Sequence, residues 1–212
     1  MALKIPGVIR FTETSQEPVL FELNRRKYLF DKSCEFRALR LRAVTLLDKV
    51  ADALPTGEKL LVFDTYRSPK KQIEIWSNVL VHLAGQHPDW SEKQLKAEAC
   101  RWAGNPDSLS CAHCMGAAVD LTICDKNGKP LDMGPENPLL PERSESVLTP
   151  EQQQNRNRLV TLMCAVGFVG HANKWCHFSF GDEAWARAKH KKETLYKPIT
   201  HLIIKSHCQE GD

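Results

Sequence analysis

The sequence predicts an α+β protein in which helices flank a small central sheet of antiparallel or mixed strands. Apolar residues recur at helical spacing in several segments, and short apolar segments rich in strand-forming residues lie between them. Turn signals of the Asn-Gly kind occur in the second half of the chain. The 212 residues are 42% hydrophobic and 26% charged, which predicts a single domain spanning residues 1–212 with a sizeable core.

The first half of the chain predicts a helix, a buried strand and two more helices. Apolar residues at helical spacing predict the first helix within 35–54, and KLLVFDTY at 59–66 is typical of a buried strand. The next helix follows Pro69, because proline is favoured in the first helical turn. A third helix begins where Ser91 and Gln94 have the spacing of a capping box.

The second half predicts shorter strands around one well-defined helix. That helix begins at Pro150, where Thr149 and Gln152 have capping-box spacing. The other predicted elements are a strand at 116–125, a turn at Asn127-Gly128, a surface loop at 132–146, short strands at 167–170 and 175–180, a helix at 182–192 and an apolar segment at 199–207.

Charge and hydropathy make several classes of partner improbable. The net charge of +3 is too small for the basic surface that binds nucleic acid, so no nucleic-acid partner is expected. No apolar run approaches membrane-spanning length, and the first residues lack the apolar core of a signal peptide. Eight cysteines without a signal peptide fit reduced thiols, which predicts a cytoplasmic protein without a membrane partner.

The segments CAHCMGAAVDLT and NKWCHFSFGD contain side chains that suit a metal ion. His113 and Asp120 would face opposite sides of one continuous strand, but Gly116 between them can bend the chain back. His177 lies in an alternating apolar segment. Two imidazoles and a carboxylate are good zinc ligands. A strand histidine is, however, more often a hydrogen-bonded core residue, and spacing alone does not connect His113 with His177.

Three stretches together resemble the zinc D-alanyl-D-alanine dipeptidases of the vancomycin-resistance type, within the wider D,D-carboxypeptidase family. They are FDTYRSPKKQ, HCMGAAVDLT and WCHFSFGDEAWA. The resemblance covers roughly residues 20–190 with the order of the motifs kept. It implies a D-Ala-D-Ala dipeptidase-like fold and hydrolysis of a dipeptide or another small amino-acid derivative by metal-activated water.

The resemblance also implies roles for individual residues. Zinc would be bound by His113, Asp120 and His177, and the Arg67 guanidinium would stabilise charge in the transition state. The implied substrate contacts come from Tyr66, Ser110 and Cys111.

Lys174 is where the chain departs from the family pattern. The family has its general base, a glutamate, three residues before the final histidine, and a protonated lysine there cannot accept a proton. Three interpretations follow. Another group, such as His171 or Glu183, replaces the base; or Lys174 acts as acid, base or anion clamp in altered, non-peptidase chemistry on a small amino-acid-derived metabolite; or the protein only binds its ligand.

Cysteines near the motifs leave the identity of the metal open. Three cysteines, Cys111, Cys114 and Cys176, would surround the proposed ion. A thiolate ligand would make the site softer and favour a metal other than zinc. The alternative is that they are small apolar core residues. Two histidines and one carboxylate also resemble the ligands of non-haem iron enzymes, so Fe²⁺ or another divalent metal is an alternative to Zn²⁺.

Overall fold

The computed structural model describes residues 10–11, 19–106, 111–135, 148–172, 174–199 and 201–206. Its helices are α1 (Leu41–Asp52), α2 (Pro69–Gln86), α3 (Glu92–Ala99), α4 (Pro150–Ala165), α5 (Glu183–Ala188) and the short 3₁₀ turn η1 (His113–Met115). Its strands are β1 (Arg10–Phe11), β2 (Val19–Glu22), β3 (Tyr28–Phe30), β4 (Ala38–Arg40), β5 (Lys59–Asp64), β6 (Ala118–Cys124), β7 (Val169–His171), β8 (Lys174–Ser179), β9 (Glu193–Thr194) and β10 (Ile203–Ser206).

A mixed five-stranded sheet forms the centre of the fold, in the order β3-β5-β6-β8-β7. Strands β3 and β5 are parallel, and the other neighbouring pairs are antiparallel. The mixed sheet flanked by helices confirms the predicted α+β class. Two smaller sheets have the orders β10-β2-β4 and β1-β9.

The two faces of the central sheet differ in chemistry. On β6, Val119, Leu121 and Ile123 belong to the main hydrophobic core, which also includes residues of α1 and α4. Because side chains alternate along a strand, Asp120 points to the opposite face. On β8, Phe178 packs in the same core and the preceding His177 points the other way. Polar residues of two strands therefore gather on one face of the sheet.

Most predicted helix starts agree with the structure. Ser91 and Thr149 form reciprocal capping boxes with the glutamines three residues after them, and Ser68 caps the helix that begins at Pro69. The prediction of a helix within 35–54 was partly wrong, because Ala38–Arg40 forms β4 and pairs with β2. The predicted helix at 182–192 is shorter and ends at Ala188.

Two further expectations concern loops and membranes. The Asn127-Gly128 turn is present, with Gly128 at φ 78° and a hydrogen bond from the Asp125 amide to the Lys129 carbonyl. Most of the predicted loop at 132–146 lies outside the described residues. Within the described ranges, no helix combines the length and apolar character required to cross a bilayer.

Candidate metal centre

Three neighbouring strands place acidic and imidazole side chains in one row across the central sheet. Asp64 on β5 is paired with Asp120 on β6, and Asp120 is paired with His177 on β8. A register shift between Val62 and Asp64 marks a bulge, which can redirect a side chain where a strand ends. Residues 57 positions apart in the chain, Asp120 and His177, thus become direct neighbours.

His113 reaches the same row from the turn η1. Gly116 ends this turn at φ 67°, and a Cβ atom at that position would lie 2.4 Å from Leu20 Cδ2. The backbone therefore reverses between His113 and β6 at a residue that suits glycine. The His113 Nδ1–H donates to the Thr65 carbonyl oxygen at 2.6 Å. This hydrogen bond fixes the tautomer and leaves the Nε2 lone pair available to a metal ion.

The ligand atoms of the three predicted residues form a compact triangle. His177 Nδ1 lies 2.7 Å from Asp120 Oδ1, and His113 Nε2 lies 3.2 Å and 3.3 Å from those two atoms. In a tetrahedral zinc site, neighbouring ligand atoms are about 3.3–3.4 Å apart. Two separations match this value and the third is at hydrogen-bond distance. These three ligand atoms therefore fit a divalent metal ion, and the three residues form a candidate metal site among the described residues.

Electrostatics keep the carboxylate of this cluster ionised. Burial opposes ionisation of Asp120, but the adjacent imidazoles outweigh it and hold the pKa of the carboxyl well below its usual range. Burial and Arg67 oppose protonation of His113, yet Asp120 outweighs them and raises the pKa of that imidazole. Burial lowers the pKa of His177, with a further contribution from Lys174. At neutral pH, the Asp120 carboxyl is thus ionised.

Arg67 is buried beside the cluster and held by two side chains. Its Nε and Nη2 donate to Asp64 Oδ2 at 3.1 Å and 2.5 Å, and Nη1 donates to Gln72 Oε1 at 2.7 Å. Gln72 is itself fixed through its donation to the Gly104 carbonyl at 2.5 Å. Burial would lower the pKa of Arg67, but Asp64 and Asp120 raise it. The guanidinium is therefore a fixed, permanent cation at the site.

A cleft of about 790 Å³ opens over this arrangement. It is lined by the three clustered residues and by Arg67, Cys111 and Lys174, among others. Tyr66 is instead buried in a small apolar cluster with Leu20, Ala38 and Ile199, and its ring packs edge-on against Phe36 at 5.2 Å. The predicted substrate contact of Tyr66 stays a prediction, and Ser110 lies outside the described residues.

Lys174 is half-buried at the start of β8 and lines the cleft. Within the described ranges it forms no ion pair, whereas the other basic side chains of the cleft do. Those pairs are Arg67–Asp64, Lys71–Glu74, Arg101–Glu98 and Arg187–Glu183. Lys174, at the position where the resemblance implies a glutamate, thus faces the cleft without a carboxylate partner in the described part of the chain.

The two alternative bases predicted from sequence both line the cleft. The His171 ring packs edge-on against that of His177, with centroids 5.6 Å apart. Burial, and then the charges of His177 and Lys174, lower the pKa of His171 to about 4, so this imidazole is neutral at pH 7. Glu183 is hydrogen-bonded to Arg187. A catalytic role for either residue stays a prediction.

The cysteines do not surround the cluster as the sequence suggested. Cys176 is buried and alternates with His177 on β8, so its side chain points away from the cleft. Cys111 lines the cleft, but its Sγ lies 2.7 Å from Cys114 Sγ and 3.4 Å from Gln72 Oε1. The S–H donated by Cys114 lowers the pKa of Cys111 and raises that of Cys114. Of the described residues, no cysteine belongs to the metal-binding triangle.

Three supporting residues were not identified from sequence. The Thr65 carbonyl orients His113, and Gln72 holds Arg67. Arg40 is buried, and its Nε donates to the Met115 carbonyl at 2.8 Å, which fixes the turn that contains His113. The contacts of Thr65 with His113 and of Arg40 with Met115 have no local spacing signal, because they join segments that only the fold brings together.

Comparison with known proteins connects this geometry to a family. The family model described as D-ala-D-ala dipeptidase, of peptidase family M15, matches residues 37–194. The chain belongs to this family. Membership of a peptidase family places it among the hydrolases, and the resemblance inferred from the three motifs is confirmed.

Relatives and solved structures agree with the family assignment. The chain is 30% identical over 176 residues to a D-alanyl-D-alanine dipeptidase of Synechocystis sp., covering 72% of this chain and 71% of that protein. It is 29% identical over 153 residues to one of Escherichia coli, covering 67% and 66%. The structure of VanYB in complex with D-alanine-D-alanine has a TM-score of 0.51 at 19% identity, covering 86% and 88%, and supports the fold.

Proposed function

We propose that the protein is a metal-dependent hydrolase that cleaves a dipeptide or a similar small amide with metal-activated water. The observation that carries this proposal is the triangle of His113 Nε2, Asp120 Oδ1 and His177 Nδ1 at the base of an open cleft. Three protein ligands with the fourth position free for water are typical of catalytic zinc. Zn²⁺ is the metal proposed here, and elemental analysis of the purified protein distinguishes it from Fe²⁺.

The residues of the proposed site have different roles in this hydrolysis. When bound, the metal polarises a carbonyl and makes a hydroxide available near neutral pH. Arg67 binds the carbonyl oxygen and the charge that develops on it, because its guanidinium is held rigid by Asp64 and Gln72. The Asp120 carboxylate offsets part of the positive charge of the ion. Thr65 keeps His113 oriented so that the ligand set is formed before a substrate arrives.

The proposed substrate class rests on the relatives together with the cleft. Both curated relatives are named D-alanyl-D-alanine dipeptidases, and D-alanine-D-alanine is the ligand in the VanYB complex. A cleft of about 790 Å³ with the candidate metal site at its base accommodates so small a molecule. A dipeptide with D-configured residues is therefore the first substrate to test.

Lys174 gives support to a second candidate function on the same site. A cation that faces the cleft without a carboxylate from the described chain, next to a metal ion, favours a ligand with an acidic group. In this case the site would act on an anionic, amino-acid-derived metabolite. A product that is not a pair of hydrolysis fragments, found by mass spectrometry, would favour this alternative over the dipeptidase.

The test incubates zinc-loaded protein with matched D,D- and L,L-dipeptides and follows amine release. We expect slow release from D-Ala-D-Ala that a chelator abolishes and added zinc restores. His177→Ala should lose both bound metal and activity, while the exposed variant Lys205→Ala should keep both. If neither the metal-loaded protein nor its Lys174→Glu variant releases amine from any member of the panel, the hydrolase proposal is wrong.

A further inference from the structure

We propose that Cys111 and Cys114 form a reversible dithiol–disulfide site next to the candidate metal ligand His113. The two Sγ atoms lie 2.7 Å apart, and the Cys114 amide donates to Cys111 Sγ at 3.3 Å. Both thiols are free and buried. A disulfide has sulfur atoms about 2.05 Å apart, so the bond requires a movement of well under 1 Å. The turn η1 thus holds the pair close to bonding geometry.

The cleft reaches one of the two thiols, which gives them different roles. Burial does not separate them, because Cys111 is 7% and Cys114 8% exposed. Cys111 lines the cleft and Cys114 does not, so an oxidant in the cleft meets the Cys111 sulfur first. The arrangement is that of a dithiol with an attacking residue that faces the cleft and a resolving residue that does not.

The oxidant we assign is a small organic disulfide of the glutathione type. The Cys111 thiolate, its proton released to solvent, attacks one sulfur of the oxidant, and the first small thiolate leaves. Cys114 then releases its proton, attacks Cys111 Sγ as a thiolate and expels the second small thiolate. Each leaving thiolate takes up a proton, so two protein thiols become one disulfide and the oxidant is reduced to two thiols. No other reactant is needed.

Oxidation would act on the turn that positions His113. The disulfide ring would enclose Ala112 and His113, and the hydrogen bond donated by the Cys114 S–H would be lost. The orientation of a metal ligand depends on such supporting contacts, whose removal typically costs about tenfold or more in metal affinity. By thermodynamic reciprocity, bound metal should then shift the dithiol–disulfide equilibrium toward the reduced protein. This coupling rests on the proposed metal site, but formation of the disulfide does not.

The experiment oxidises the reduced full-length protein with glutathione disulfide and counts thiols by alkylation under denaturing conditions. We expect the thiols of Cys111 and Cys114 to be lost without a retained adduct on either, a Cys111–Cys114 cross-link in the peptide map, and full reversal by dithiothreitol. Cys114→Ser should stop at a stable glutathione adduct on Cys111. The matched control is Cys100→Ser, which removes another thiol of the same cleft and should leave the cross-link intact.

Three outcomes would overturn the proposal. The first is a stable adduct on Cys111 in the unmodified sequence, which would show that Cys114 does not resolve it. The second is a cross-link that disappears in Cys100→Ser, which would identify a different pair. The third is no change of either thiol under conditions that modify the exposed Cys164. The coupling to metal binding has a separate test. If zinc affinity is equal in the reduced and the oxidised protein, the disulfide has no effect on metal binding.

Discussion

Replacement of Lys174 by glutamate is the most informative change to the proposed active site. Lys174 opens β8 three residues before His177, lines the cleft and lies close enough for its charge to lower the pKa of that imidazole. Lys174→Glu would remove a cation beside the metal and introduce a group that can accept the proton of an attacking water. We expect faster hydrolysis of D-Ala-D-Ala and tighter metal binding.

The expected effect of Lys174→Glu has two parts, a gain in metal affinity and a gain in the rate of hydrolysis. At an effective dielectric constant of about 20, a unit charge within a few ångströms of a dication interacts with roughly several kcal/mol. Solvent in the open cleft reduces this value, so we expect metal affinity to rise by about one to two orders of magnitude when the positive charge is removed. A positioned general base contributes roughly 10²–10⁴ in rate. The gain in rate should appear only in Lys174→Glu, because only that variant has a carboxylate at this position.

The matched control is Lys174→Gln, which removes the charge but provides no base. Steady-state kcat/KM for D-Ala-D-Ala, measured at saturating zinc and divided by metal content, separates the two parts. Both variants should bind zinc more tightly, and the glutamate variant should be at least about 10² faster than the glutamine variant. Equal rates for the two variants, both with full metal content, would refute the assignment of residue 174 to the base position.

The remaining predictions concern the guanidinium, the bend before β6 and a buried hydrogen bond. Arg67→Lys should lower kcat about 10²-fold with metal content unchanged, because one ammonium cannot replace the rigid fork of donors; an unchanged kcat would remove Arg67 from the mechanism. Gly116→Ala should lower the free energy of unfolding by about 2 kcal/mol or more, since the new Cβ meets the buried Leu20 at a positive φ. Urea unfolding measures this loss, and a stability equal to that of the parent would contradict it. Tyr28→Phe should cost about 1–3 kcal/mol in the same assay, because it removes the hydrogen bond that Tyr28 donates to the buried Asp48 carboxylate at 2.5 Å.

The sequence predicted local features well because their causes are local. The capping boxes at Ser91 and Thr149 involve residues three positions apart, and both occur in the structure. The strand that contains Asp120 was predicted at 116–125, and all seven residues of β6 are buried. The bend at Gly116 was expected from the need to bring His113 over this strand, and the left-handed backbone there agrees.

Features that depend on distant segments were not predicted. The helical spacing of Phe36 and Leu39 suggested a helix, but residues 38–40 pair with β2, and this pairing has no signature within the segment itself. The contacts of Arg67 with Asp64 and with Gln72 join residues close in sequence, but they depend on the bulge in β5 and on the start of α2. The predicted ligand set relied on family motifs, since nothing in the spacing alone brings His113 to His177.

Metal binding and the catalytic base have separate structural origins in this fold. Asp120 and His177 are paired across the central strands, and His113 is fixed by a turn hydrogen-bonded to Thr65 and Arg40, so the ligand triangle is determined by the sheet and its core. Residue 174 is the first residue of β8, the second strand of the outer β7–β8 hairpin, and lines the cleft. A change there leaves the packing of the sheet intact. A lysine at the position where the resemblance implies a glutamate is therefore compatible with an intact candidate metal site, and geometry suited to metal binding is separate from the group that would accept a proton.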